Sequence, residues 1–179
     1  MKRRAVFLDR DGVLVKAVQH GEYAHGPLAL ADFKLHYNVE EPVRMLREAG
    51  FLTVLATNQP GIARGTLTWE TLRRMHEILQ REVPLDAIQV CPHTDADGCP
   101  CRKPKPGMIL NAAETLSIDL ASSYFVGDTW RDVDAGLAAG VTPVLLDWTY
   151  NRNLQVSHRV ANLAGAAKFI LETAEAARI

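Results

Sequence analysis

The chain has no run of about 18 apolar residues, so no part of it reads as a membrane-spanning helix. It also has almost no charge imbalance. Twenty Lys and Arg stand against 21 Asp and Glu, a formal net charge of −1. Duplex binders usually carry a basic excess, so there is no electrostatic reason to expect a nucleic-acid partner. Internal repeats, low-complexity tracts and linker-like shifts in composition are missing too. Cysteine is scarce, and its three copies crowd between positions 91 and 101. An odd number in so narrow a window fits a reducing compartment and a metal site better than a disulfide framework. The basic start, Met1-Lys2-Arg3-Arg4, leads into an apolar stretch that stops at Asp9, too short for a signal-peptide core. The expectation is a cytoplasmic monomer with neither membrane nor nucleic acid as partner. What is present is one domain's worth of sequence: 179 residues, 47% hydrophobic and 23% charged. That is near the globular average and long enough to bury a core.

Short apolar segments at 5–8, 52–56, 87–90, 124–126 and 143–146 read as strands. Most are continuously apolar, as in strands covered by helices on both faces. Helical patterns separate them at 39–48, 68–81, 107–115, 132–139 and 161–177. Gly50 and Gly140 follow two of these helices as C′ glycines, and Thr68 precedes another as its N-cap. The alternation predicts an α/β fold, an open, doubly wound, mostly parallel sheet in one domain spanning 1–179. Ligands of such sheets sit at the carboxyl ends of the strands. There the sequence places Asp9, Thr57-Asn58, Cys91 with His93, and Asp128.

Asp9 and Asp11 flank Arg10 where the first strand gives way to Gly12. They read either as an ordinary Asp-Gly turn or as paired carboxylates converging on a divalent cation and a phosphate. A carboxylate attacks a phosphoryl group only if a cation offsets the repulsion between the anions. Asp128, after Gly127, is placed to complete a Mg²⁺ site with them. Asp132 either orients that site or favours a helix N-terminus. Thr57-Asn58-Gln59 opens the loop Pro60-Gly61-Ile62-Ala63-Arg64-Gly65, where a hydroxyl and backbone N–H groups make a phosphate cradle. Arg102 and Lys103, fixed by neighbouring prolines, offer a fork and a point charge for phosphate oxygens.

Cys91, His93, Cys99 and Cys101 supply a soft Cys₃His set in two close pairs. Such a set closes a tetrahedral Zn²⁺ site and leaves no position for substrate, so the zinc is expected to be structural. Cys101 directly precedes Arg102 and Lys103, so the metal would pin both cations. The histidines at 20, 25, 36, 76 and 158 show no ligand or triad spacing, and Trp69, Trp130 and Trp148 read as packing residues.

Together, Asp9-Arg10-Asp11-Gly12-Val13-Leu14, Thr57-Asn58-Gln59, Lys103 and Gly127-Asp128 follow the four motifs of the haloacid dehalogenase-like (HAD-like) phosphatases, and the chain resembles that family. Through Gly61-Ile62-Ala63-Arg64-Gly65 and the segment 91–108, it is similar to the heptose 1,7-bisphosphate phosphatases and the histidinol-phosphate phosphatases. The resemblance implies a Rossmann-like HAD core that hydrolyses a small phosphorylated sugar through an aspartyl-phosphate. Asp9 would be the nucleophile and Asp11 the acid, then base. Thr57 and Lys103 would stabilise the transferring group, with Asn58, Gln59 and Arg102 on the substrate. Mg²⁺ would sit on Asp9, the Asp11 carbonyl and Asp128.

About 45 residues separate the first two motifs, and the core needs most of them, so no cap domain is expected. The segment His20-Gly21-Glu22-Tyr23-Ala24-His25 departs from the family's His-Gly-Tyr loop by an inserted residue, and Thr129 stands where some relatives carry lysine. Both leave the sugar and its anomer open. Histidinol phosphate, a DNA 3′-phosphate and a phospho-accepting receiver-like switch are the competing readings. The acid/base offered by Asp11 favours turnover over a switch.

Overall fold

The computed structural model describes residues 2–20 and 23–177. Among the described residues, eight strands and five α-helices follow one another: β1 (Ala5–Leu8), β2 (Val18–His20), β3 (Tyr23–His25), α1 (Glu40–Glu48), β4 (Leu52–Asn58), α2 (Trp69–Glu82), β5 (Ala87–Cys91), α3 (Gly107–Leu116), β6 (Tyr124–Gly127), α4 (Trp130–Ala139), β7 (Thr142–Leu146), β8 (Arg159–Val160) and α5 (Leu163–Ala176). Six strands form one sheet in the order β5-β4-β1-β6-β7-β8, every neighbouring pair parallel. From β1 the chain winds outward through β4 to β5, crosses back to β6 and winds outward again to β7 and β8. That reversal opens a crevice at the carboxyl ends of β1 and β6.

Side chains alternate across a strand, and β1 shows what this builds. Val6 and Leu8 join α1, α2 and α5 in one apolar cluster through Val43, Leu46, Leu79 and Ile170. Ala5 and Phe7 face the other way, into a cluster with Met108, Ile109 and Ala112 of α3 and Ala135 of α4. All four β1 residues are fully buried, so the first catalytic candidates project from the least yielding part of the molecule.

The helix starts follow local chemistry. Thr68 caps α2 by accepting from the Thr71 amide at 3.1 Å. Asn162 caps α5 by accepting from Gly165 at 3.0 Å, which sets that helix start just beyond the expected position. α4 begins two residues earlier than its apolar pattern suggests, because Thr129 and Asp132 form a capping box. The sequence pattern missed the β2–β3 hairpin and the short edge strand β8, since three- and two-residue strands carry too little periodicity. Gly21 and Glu22 of the segment 20–25 lie outside the described residues, as do Met1, Arg178 and Ile179. Among the described residues, only the β2–β3 hairpin and a 3₁₀ turn at Leu30–Asp32 intervene between β1 and α1. No helix among them is long and apolar enough to cross a membrane.

Candidate active site and metal centres

The Asp9 amide donates to the Val126 carbonyl at 3.0 Å, continuing the β1–β6 pairing one residue past the strand end. This sets Asp9 beside the loop that carries Asp128. Gly12 makes the approach possible. Its φ is +88°, and a Cβ there would lie 2.1 Å from Asp128 Oδ2.

Asp9 Oδ1 accepts from the Arg10 amide at 2.8 Å and from Lys103 Nζ at 2.7 Å. The same Nζ donates to Asp132 Oδ1 at 2.6 Å. Asn58 holds the Lys103 backbone from the next strand: its Nδ2 donates to the Lys103 carbonyl at 3.0 Å, and its Oδ1 accepts from the Lys103 amide at 3.1 Å. Asp132 Oδ2 collects the amides of Asp128 (3.2 Å) and Thr129 (2.9 Å) and the Thr129 hydroxyl (2.8 Å). Asp132 therefore caps α4 and anchors Lys103 at once, and the two sequence readings of it describe one residue.

Asp128 Oδ2 accepts from the Tyr150 hydroxyl, and its carbonyl from Asn151 Nδ2 at 2.7 Å. Its Oδ1 is buried with no partner. Burial pushes the Asp9 carboxyl up to about 7 against the pull of Lys103. Asp128 is raised by burial and by the charges of Asp132 and Asp9. Burial works to lower the Lys103 ammonium, but Asp132 and Asp9 outweigh it and hold the group charged. Three buried carboxylates thus face one buried ammonium, and the site is short of positive charge.

A divalent cation fits that deficit. Oxygens of Asp9, Asp128 and Asp132 lie within 4.8 Å of one another, and an all-oxygen donor set suits Mg²⁺. Both Asp132 oxygens are already engaged, which leaves Asp9 and the orphaned Asp128 Oδ1 as the carboxylate ligands on offer. The Asp11 side chain lies outside this cluster. Arg10, fully buried, grips both its oxygens at 3.0 Å, and Gln59 Nε2 donates to Oδ2 at 2.9 Å. Gln59 Nε2 also donates to Thr57 Oγ1 at 2.8 Å. Thr57 and Gln59, both buried, therefore stand behind Asp11 as a brace.

The second cluster forms where β5 ends. Cys91, Cys99 and Cys101 have Sγ–Sγ separations of 3.6, 3.2 and 3.4 Å, and His93 Nδ1 lies 3.6 Å from Cys91 Sγ and 3.4 Å from Cys101 Sγ. A zinc ion with Zn–S bonds of about 2.3 Å would space its sulfurs by about 3.8 Å, so the four donors are close to a tetrahedral set. The cysteines form no disulfide. The loop closes tightly on α3: a Cβ on Gly107 would lie 2.3 Å from the Pro100 carbonyl.

Arg102 is committed within the protein. Nε and Nη2 donate to Asp95 at 2.8 and 3.3 Å, and Nη1 to the His93 carbonyl at 3.2 Å. These bonds hold the Asp95 carboxyl below its usual range, with Arg131 and Arg64 acting the same way.

A cavity of about 370 Å³ opens over this arrangement. Asp9, Asp11, Asn58, Arg102, Lys103, Asp128 and Asp132 reach it, whereas Thr57 and Gln59 support it from behind. It is also lined by His25 and Thr129, both at the departures from the family pattern named above, and by Arg131 and Tyr150, which no sequence motif marks. Tyr150 follows β7, a fifth strand end, and the strand-end logic extended one strand further would have found it. Trp130, expected to pack, is 44% exposed beside the site.

The HAD-hydrolase-like family model matches residues 100–168. The chain is 43% identical over 155 residues to the D-glycero-beta-D-manno-heptose-1,7-bisphosphate 7-phosphatase of Yersinia pestis, covering 79% of each chain. To the Vibrio cholerae protein of the same name it is 42% identical over 158 residues, covering 82% of each. Among solved structures, the D,D-heptose 1,7-bisphosphate phosphatase of B. bronchiseptica, complexed with magnesium and phosphate, superposes with a TM-score of 0.83. It is 31% identical and matches 95% of this chain and 99% of that one. The Burkholderia thailandensis D,D-heptose 1,7-bisphosphate phosphatase gives a TM-score of 0.65 at 27% identity, covering 94% and 99%.

Proposed function

The chain belongs to the haloacid dehalogenase-like phosphatases, among the heptose 1,7-bisphosphate phosphatases, and from that premise we propose that it is a single-domain enzyme removing the 7-phosphate of D-glycero-D-manno-heptose 1,7-bisphosphate. The observation that carries the chemistry is the contact between Lys103 and Asp9 at 2.7 Å beside the orphaned Asp128 oxygen. A nucleophilic carboxylate, a fixed ammonium and a cation-ready oxygen meet at one point.

Asp9 attacks phosphorus through a carboxylate oxygen. The sugar oxygen leaves with the phosphorus–oxygen bond electrons and takes a proton from Asp11. Asp11 then removes a proton from water as that water attacks the aspartyl-phosphate, releasing phosphate and restoring Asp9. Lys103 offsets charge on the transferring group, and Thr57, behind the cavity, braces Gln59. Arg10 and Gln59 hold Asp11 in its orientation. Mg²⁺ held by Asp9, Asp128 and the Asp11 carbonyl would supply the positive charge that lets two anions approach. Zn²⁺ on Cys91, His93, Cys99 and Cys101 would fix the loop that delivers Arg102 and Lys103. Three cysteines free of disulfides suit work in the reducing cytoplasm.

The test is a panel of phosphate esters with Mg²⁺: heptose 1,7-bisphosphate, histidinol phosphate and single-stranded DNA bearing a 3′-phosphate. The bisphosphate is expected to have the highest kcat/KM, and Asp9→Asn to abolish turnover while the thermal melt persists. Best activity on the DNA 3′-phosphate, or appreciable turnover by Asp9→Asn, would overturn the reading.

A further inference from the structure

Arg131 is placed at a cost that nothing else in the fold explains. It is the second residue of α4, in the first helical turn, where the helix dipole disfavours a cation. Its Nε is buried without a hydrogen-bond partner, and burying an unsatisfied donor of a charged group is expensive. Among the described residues its side chain makes no salt bridge. Its guanidinium carbon lies 4.8 Å from the centre of the neighbouring Trp130 ring. Yet the side chain lines the cavity that holds Asp9 and Lys103.

The surroundings sharpen the point. Arg102, on the cysteine loop, also lines the cavity, but Asp95 and the His93 carbonyl occupy its Nε, Nη1 and Nη2. Arg64 and Arg131 also lie within electrostatic reach of Asp95. One carboxylate thus faces three guanidiniums and satisfies only Arg102. Deeper in the cavity Lys103 is held by Asp9 and Asp132. Arg131 is the cavity cation with no carboxylate bound to it among the described residues.

We infer that Arg131 binds the second, non-transferred anionic group of the substrate, making the enzyme selective for sugars with two phosphates over sugars with one. Its fork is suited to a phosphate dianion, and the group it recognises is the part of the substrate left behind after hydrolysis. The Trp130 ring packs against the guanidinium, while Arg102 adds positive potential to the same cavity. The inference rests on the proposed action on a sugar bisphosphate and assigns one of its specificity residues.

The experiment compares two substrates that share the cleaved ester: heptose 1,7-bisphosphate and heptose 7-phosphate. Wild type is expected to prefer the bisphosphate. In Arg131→Ala that preference, as a ratio of kcat/KM values, should fall by about 10- to 100-fold, chiefly through KM for the bisphosphate, the size of one or two lost charge-assisted bonds. Arg131→Lys should recover part of it, since a point charge replaces the fork. An equal loss on both substrates would mean a structural role, and an unchanged ratio would mean no role; either overturns the inference. A wild type that cleaves both esters equally well also overturns it, with the phosphatase reading intact. A wild type that cleaves neither ester instead defeats the proposed function.

Discussion

Lys103 Nζ lies 2.6 Å from Asp132 Oδ1, and neither side chain is more than 3% exposed. The pair crosses the sheet edge from the cysteine loop to α4, and through the other Asp132 oxygen it also fixes the amides of Asp128 and Thr129. Asp132→Asn breaks this in either rotamer. If the amide NH₂ replaces Oδ2 it faces three donors; if it replaces Oδ1 it faces an ammonium. Lys103 keeps Asp9 as a partner, so the loss should stay below that of a wholly unpaired buried charge, about 2–3 kcal/mol. Turnover should fall at least about 100-fold, because the ammonium would no longer be fixed where charge develops. The denaturant midpoint measures the first effect and kcat the second. An unchanged kcat would mean that Lys103 finds its place without Asp132.

The cysteine loop should carry about one equivalent of zinc per chain, which elemental analysis of protein purified without chelator will measure. Cys101→Ser removes a ligand next to Arg102 and Lys103, so its effect should reach the active site. Zinc content should fall to below about half an equivalent, segment 94–106 should become protease-sensitive, and kcat/KM should drop at least tenfold. Zinc-free wild type with full activity would remove the metal from the account.

Much of this arrangement is legible in the sequence. Buried strands read as unbroken apolar runs, so β1, β4 and β6 were visible, and their ends pointed to Asp9, Thr57-Asn58 and Asp128. The soft donors of the cysteine loop are legible because three cysteines and a histidine crowd between positions 91 and 101. What stayed hidden depends on side-chain direction. Sequence cannot say that Gln59 turns back onto Asp11 and Thr57, or that Asp95 captures Arg102. Nor does it reveal that Tyr150, 22 residues beyond Asp128, closes on that carboxylate. The β2–β3 hairpin and β8 were lost for a different reason, as elements too short to show a period.

His76 should make stability depend on pH in a definite window. It sits on α2, 8% exposed, with Nε2 3.4 Å from Nη1 of the buried Arg10. Facing a guanidinium, that nitrogen serves as acceptor, so the ring is neutral with its proton on Nδ1. Burial, and then the Arg10 charge, lower its pKa from 6.5 to about 4. Between those values the unfolded chain binds a proton that the folded chain refuses, so stability rises with pH across the window and is level above it. On acidification this contribution fades from about pH 6.5 towards 4, by at most a few kcal/mol. His76→Gln can still accept from Arg10 through Oε1 but does not titrate. Urea midpoints of both proteins at pH 7.5 and 5.0 therefore isolate the effect, since carboxylates such as Asp9, which titrate in the opposite sense, cancel in the comparison. Wild type should lose more stability than the variant between the two pH values. Equal losses would mean that burial and the Arg10 charge do not lower the His76 pKa in the fold.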